Sequence, residues 1–423
     1  MSDKHRRTRI GNHELSPRSL MMGYGYDPKL SEGSLKPPVF LTSTFTFESA
    51  ADGKRFFEGI TGLRPGGADG LVYGRFNGPD QEILEDRLAL WEGAEDAAVF
   101  STGMSAIATA LMAHLRAGDA VVHSGPLYAA AEKLIGSVLG GFDITYRDFP
   151  AGAALEDVRR LVEDTRKQHR VGVIYLESPA NPTNELVDIA GIFALREELY
   201  AGADDKPLIM VDNTFLGPVF QQPIHHGADL SIYSLTKYIG GHSDLVAGGV
   251  VGSKAALDPI RALRNTIGTI TDPHTSWMLL RSLETVALRM ERAESNARKV
   301  CGFLRDHPKV DRVGVLDFLD PASEQGRIYA HHCSGAGSTF SLLLQGGEPE
   351  SFRFLDALRL VKLAVSLGGT ESLASHPAAM THLSVPPERR AQLGISDNLV
   401  RISIGIEDAD DLIADFDQAL QAV

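Results

Sequence analysis

The chain has 423 residues, 43% apolar and 23% charged, with Gly 42 and Pro 21. At ~150 residues per domain this is room for two to three cored domains, which excludes a small stapled scaffold and disorder along the whole length. Lys+Arg 41 against Asp+Glu 55 leaves a net charge of −14, a balance that repels phosphate backbones and anionic lipid and argues against nucleic acid or a membrane as partner.

The first seventeen residues, MSDKHRRTRIGNHELSP, are basic and polar, lack the layout of a secretory signal, and read as an arm. An extended segment from Pro37 to Phe47 and a Gly-rich loop from Gly59 to Gly70 follow. Next, EILEDRLALWEG places Ile83, Leu84, Leu88 and Trp91 on one helical stripe with Gly93 as a stop. A short apolar strand, Ala97 to Phe100, leads through a Gly turn into a helix whose Ile107, Leu111 and Leu115 recur at spacing four before Gly118. Further apolar runs at Ala120 to His123, Val171 to Leu176, Leu208 to Val211 and Leu230 to Tyr233 alternate with helix-period segments such as LEDVRRLVEDTRKQ. That alternation predicts an α/β fold, a mostly parallel sheet covered on both faces, with ligands at the carboxyl ends of the strands. Beyond Thr285 a long helix-prone segment and irregular strands predict a smaller α+β domain. No run approaches the ~18 apolar residues of a membrane span. Cys301 and Cys333, without Cys-x-x-Cys spacing, suggest neither a disulfide framework nor a zinc knuckle and point to a reducing cytoplasm. His226, His242 and the pair His331 and His332 show no metal-ligand spacing, so no metal is expected.

The residues just past the strand ends carry the chemistry. After Phe100, Ser101, Thr102, Gly103 and Met104 open a helix whose free N–H groups suit a phosphate. Asp212 ends one strand, and Lys237 stands 25 residues later, one helix-and-strand unit on, so both fall at one crevice. An amine, a carboxylate and a phosphate-binding helix start are what pyridoxal phosphate (PLP) requires: a Schiff-base lysine, an anion beside the ring nitrogen and an anchored phosphate.

At this point whole motifs become recognisable. SLTKYIGGHSD, IYLESPANPTN, MVDNTFLGPVFQQP, VYGRFNGPDQEILE and SLGGTESLASHPAAMTH, in this order-preserving set from Lys36 to Asp415, closely resemble the PLP enzymes of Cys/Met metabolism: cystathionine γ-synthases, cystathionine lyases and methionine γ-lyases. The resemblance implies a fold type I, aminotransferase-like architecture: an inter-subunit arm and extended segment at 1–76, a large PLP-binding domain at 77–286 and a C-terminal α+β domain at 287–423. It places the cofactor-linking lysine at Lys237 and the ring-nitrogen partner at Asp212. The phosphate falls to the Gly103 and Met104 main chain with the Ser234 and Thr236 hydroxyls. Tyr128, in GPLYAAAEK, resembles the tyrosine that stacks on the ring and serves as acid and base. Tyr73 and Arg75 resemble residues lent by a neighbouring subunit, which implies a homo-oligomer with shared sites, a dimer of dimers. Arg401, in LVRISIGIED, resembles the arginine that grips the substrate α-carboxylate, with Ser366 and Asn181 as companion contacts.

The family resemblance implies carbon–sulfur chemistry at the γ-carbon of an amino acid. Where cystathionine-handling members carry Glu, this chain has Val365, which favours an apolar thioether and methionine γ-lyase-type elimination to 2-oxobutanoate, ammonia and a thiol. Ala130, where methionine γ-lyases carry Cys, points the other way. So do Arg264 and Asn265, matched to a Lys-Asp pair near the substrate. The alternatives are cystathionine γ-synthase-type replacement on an O-acylhomoserine, a cystathionine lyase, and a PLP-binding regulator without activity.

Overall fold

The computed structural model describes residues 3–65 and 70–423, so 66–69, within the Gly-rich patch, lie outside the described residues. A hairpin of β1 (Arg9–Ile10) and β2 (His13–Glu14) opens the chain. Pro37 to Phe47 is extended without forming a named strand, and Ala50–Ile60 is a helix capped by Ser49 that the residue pattern had not suggested.

Seven strands form the larger sheet: β3 (Asp96–Phe100), β4 (Ala120–Gly125), β5 (Thr145–Pro150), β6 (Val171–Glu177), β7 (Leu208–Asp212), β8 (Leu230–Ser234) and β9 (Gly248–Gly252). Their spatial order is β3-β9-β8-β7-β6-β4-β5, with every neighbouring pair parallel except the two that involve β9. β6 is buried along its whole length, as expected of a central strand covered on both faces. One face is covered by the Gly103–His114 and Lys254–Ile267 helices, the other by Leu155–Arg166 and Ile189–Leu199. Ile107 and Leu111, 3% and 0% exposed, anchor the first of these helices, each contributing about 1.5–3 kcal/mol by leaving water.

Two strands departed from the residue pattern for identifiable reasons. β5 lies at the sheet edge and is largely polar, which suits an edge that must not recruit another chain. β9 is the Gly-rich GGVVG because a Cβ at Gly248 would lie 2.2 Å from the Thr102 carbonyl oxygen. Glycine thus lets this strand pass against the start of the Gly103–His114 helix.

A second sheet of five strands has the order β10-β11-β14-β13-β12, built from β10 (Val310–Gly314), β11 (Thr339–Leu344), β12 (Lys362–Leu363), β13 (Leu373–Ser375) and β14 (Leu399–Ser403). The long Val286–Arg305 helix and the Ala409–Leu420 helix pack in one apolar cluster with it. Among the described residues no helix is long and apolar enough to cross a membrane.

Candidate active site

The carboxyl ends of β6, β7 and β8, the start of the Gly103–His114 helix, and the β12–β13 loop with β14 enclose a cavity of about 480 Å³. That is within the usual range for a small-molecule site. Thr102 caps the helix: its hydroxyl accepts the Ser105 N–H at 2.8 Å, and Ser105 Oγ accepts the Thr102 N–H at 3.0 Å. The reciprocal cap leaves the Gly103 and Met104 N–H groups for a ligand at the positive end of the helix. A Cβ at Gly103 would come within 3.1 Å of Ser234, so glycine keeps this cradle open beside the end of β8. Ser234 lines the cavity too. The Thr236 hydroxyl already pairs with Ala247, accepting its N–H at 3.1 Å and donating to its carbonyl at 3.2 Å. It reaches a phosphate only by turning its O–H away from that carbonyl.

Asp212 ends β7 directly opposite Glu177 of β6, and both carboxylates are buried. Asp212 Oδ1 accepts the Thr214 N–H at 3.0 Å, and its Oδ2 lies 3.4 Å from the Tyr175 hydroxyl that donates to it. Burial raises its pKa, while the Lys237 ammonium opposes the rise. A buried carboxylate with no cation in hydrogen-bond reach suits a protonated ring nitrogen. Lys237 follows β8 and donates from Nζ to Ser366 Oγ at 2.7 Å. Burial, and then the Arg401 charge, push its pKa down to about 8. The adjoining Tyr238 hydroxyl is held by Ser338 Oγ at 3.0 Å and Thr339 Oγ1 at 2.8 Å, which fixes the lysine segment against β11.

The second sheet contributes Arg401 from β14 and Ser366 from the β12–β13 loop. Arg401, 4% exposed, donates from Nη1 to Asn181 Oδ1 at 3.1 Å and from Nη2 to the Ser366 carbonyl at 2.9 Å. Burial lowers its pKa to about 10, still charged at neutral pH. Ser366 has φ +87°, a left-handed conformation that a non-glycine residue holds at a cost, as functional sites often do. Tyr128 stands at the start of the Ala129–Lys133 helix, 43% exposed into the cavity. Val365 is beside Ser366 at the cavity mouth.

Residue patterns overlooked Glu177. Its carboxylate accepts the Tyr128 N–H at 2.7 Å and the Asn181 N–H at 3.1 Å, tying two cavity residues to the end of β6. Burial and the Asp212 charge raise its pKa well above the ordinary carboxylate range. The signal was available, because Glu177 ends its strand as Asp212 ends the next.

Two sets of expected residues lie elsewhere. Tyr73 and Arg75 do not line this chain's cavity; the Arg75 guanidinium lies over the Phe76 ring and pairs with the Asn265 carbonyl. Arg264 does not line this chain's cavity either. It is 1% exposed and bonds to Glu85 Oε1 at 2.6 Å and to the Val99 carbonyl at 2.9 Å. Because its loss takes the closer of two cations from the buried Glu85 carboxylate, leaving Arg261 at 3.8 Å, Arg264→Ala is expected to destabilise the fold by about 3 kcal/mol. Denaturant unfolding at fixed protein concentration reads this, and an unchanged midpoint contradicts it.

The two-sheet architecture and a cavity holding an amine, a buried carboxylate and an anion cradle define a PLP-dependent enzyme of fold type I. The chain belongs to the Cys/Met metabolism PLP-dependent enzyme family, whose pattern matches residues 19–421. It is 37% identical to an L-methionine gamma-lyase of Pseudomonas deceptionensis, with 100% of each chain covered. It is 39% identical to the L-methionine gamma-lyase of Pseudomonas putida, over 94% of this chain and 96% of that one. Among solved structures, the cystathionine gamma synthase of Xanthomonas oryzae pv. oryzae in complex with aminoacrylate and cysteine superposes with a TM-score of 0.85 at 32% identity, covering 97% of this chain and 99% of that one. The cofactor of the present chain is accordingly PLP, and a small-molecule amino-acid substrate fits its family.

Proposed function

We propose that this enzyme carries out γ-elimination on a sulfur amino acid, methionine foremost. The Cγ–S and Cα–N bonds break, one water is consumed, and 2-oxobutanoate, ammonia and methanethiol leave. Val365 carries the reading. With Val246, likewise exposed, and the buried Leu367 it gives the cavity an apolar lining, where an acidic side chain would suit the distal amino group of a larger thioether. The two methionine gamma-lyase relatives support it.

Bound PLP supplies an electron sink for negative charge at the substrate Cα. Lys237 carries the cofactor and moves the Cα and Cβ protons. Its lowered pKa makes neutral amine accessible near physiological pH. Asp212 would pair with the ring nitrogen and favour its protonated form. The Gly103 and Met104 N–H groups and the Ser234 hydroxyl would hold the phosphate, joined by Thr236 if its O–H turned from Ala247. Arg401 presents its guanidinium fork to the α-carboxylate, a planar match that Lys lacks. Asn181 accepts from Arg401 through Oδ1, so its Nδ2 is available to the cofactor ring oxygen. Tyr128 protonates the departing sulfur.

Residues 77–286 serve as the cofactor-binding unit and 287–423 as the carboxylate-gripping unit, with 1–76 facing another subunit. Tyr73 and Arg75 belong to a second copy's site, since they sit apart from their own cavity and Tyr73 is 42% exposed. That sharing requires at least a dimer, and the family resemblance extends it to a dimer of dimers. The thiols of Cys301 and Cys333 are free, which suits the cytoplasm.

The rival reaction is γ-replacement on an O-acylhomoserine, favoured by the structural likeness to a cystathionine gamma synthase. Val365→Glu tests the argument from the cavity mouth. It is expected to lower kcat/KM for methionine roughly tenfold, the scale of one mismatched contact, while cystathionine cleavage is kept or raised. An unchanged ratio between the two substrates sinks the assignment of Val365.

A further inference from the structure

Away from the cavity, the Pro223–His226 turn between β7 and β8 meets the end of the Glu324–His332 helix between β10 and β11. Three imidazoles converge there. The His226 ring centroid lies 5.3 Å from that of His331 and 4.4 Å from that of His332, and the last two are 5.0 Å apart. One ring nitrogen from each falls within 4.8 Å of the others.

His332 is 4% exposed, and neither of its ring nitrogens has a hydrogen-bond partner. Asp188 Oδ1, the nearest carboxylate oxygen, stops at 3.6 Å from His332 Nε2. A buried imidazole with both nitrogens unpaired is costly unless something else takes the lone pair. His331 is exposed and gives the cluster an opening to solvent.

We propose that His226, His331 and His332 form a binding site for a divalent transition metal of the zinc class, with Asp188 completing its surroundings. Three nitrogen donors select such an ion over calcium or magnesium, which prefer oxygen. Tetrahedral zinc at 2.0–2.1 Å needs donor atoms about 3.3 Å apart, a contraction reached by turning the exposed His331 and half-buried His226 rings toward His332. Because 105 residues separate His226 from His331, no local spacing in the sequence reveals the set.

The site staples a connection of the larger sheet to one of the smaller. Its neighbour Cys333 donates to Gln221 Oε1 at 3.4 Å, and Gln221 in turn donates from Nε2 to the Ser178 carbonyl at 3.1 Å, just past β6. A metal here is therefore structural and acts on how the two sheets are held together.

The test uses full-length, PLP-loaded enzyme without an affinity tag, freed of metal by a chelator and then titrated with Zn²⁺ by calorimetry and equilibrium dialysis. One Zn²⁺ per chain and an upward shift in Tm are expected. His331→Gln, at the exposed position, should fold with the metal-free Tm of the parent yet bind at least about tenfold more weakly. The double variant His226→Gln/His331→Gln should lose both the stoichiometric binding and the Tm shift. No binding by the parent, or equal binding by the parent and the double variant, overturns the proposal.

Discussion

Lys237→Ala is expected to abolish turnover and the absorbance band of the lysine-linked cofactor together. Lys237 is the amine at the centre of the cavity, 2.7 Å from Ser366 Oγ and lowered in pKa by burial and Arg401. Its removal takes away both the covalent anchor and the group that moves protons, and a single positioned acid/base alone is worth about 10²–10⁴ in rate. With a pKa near 8 instead of 10.5, the side chain holds roughly 300-fold more neutral amine at pH 7 than an ordinary lysine. The sign follows: the neutral form increases as pH rises, so cofactor uptake by stripped protein accelerates through pH 8 and levels off above it. A variant that keeps the band, or a rate of uptake flat between pH 6 and 9, contradicts this role.

Arg401→Ala is expected to act mainly on KM. The guanidinium is buried and pinned by Asn181 and Ser366, so it meets a substrate carboxylate already desolvated and oriented. Removing one partner from such a charge pair costs about 2–5 kcal/mol, or roughly 30- to 5,000-fold in kcat/KM. The α-carboxamide of the substrate separates this from a structural role. The parent should discriminate strongly against the amide, the variant hardly at all. If KM stays within about threefold of the parent's, or the discrimination survives, Arg401 does not grip the carboxylate.

Much of the site was legible in the sequence because a parallel sheet delivers its strand ends to one edge. Asp212 and Lys237 could be paired from spacing alone, and the Gly103 helix start from its position after Phe100. What escaped depended on tertiary context. β9 was hidden by glycines that exist to pass Thr102, and β5 by the polarity of an edge strand. Glu177 gains meaning only from the register, which sets it opposite Asp212. The pairing of Arg264 with Glu85 and the end of β3 likewise needs the fold to bring them together. The three histidines are the extreme case, joined only by the meeting of two connections from different sheets.

On the proposed function, this cavity breaks the Cγ–S bond of methionine. The most direct test gives L-methionine to the PLP-loaded enzyme and follows 2-oxobutanoate, ammonia and thiol in parallel, with an O-acylhomoserine plus cysteine in a second vessel. Equal amounts of all three products from methionine are expected. Thioether formation in the second vessel with no 2-oxobutanoate from methionine would contradict the assignment and make the enzyme a γ-replacement catalyst.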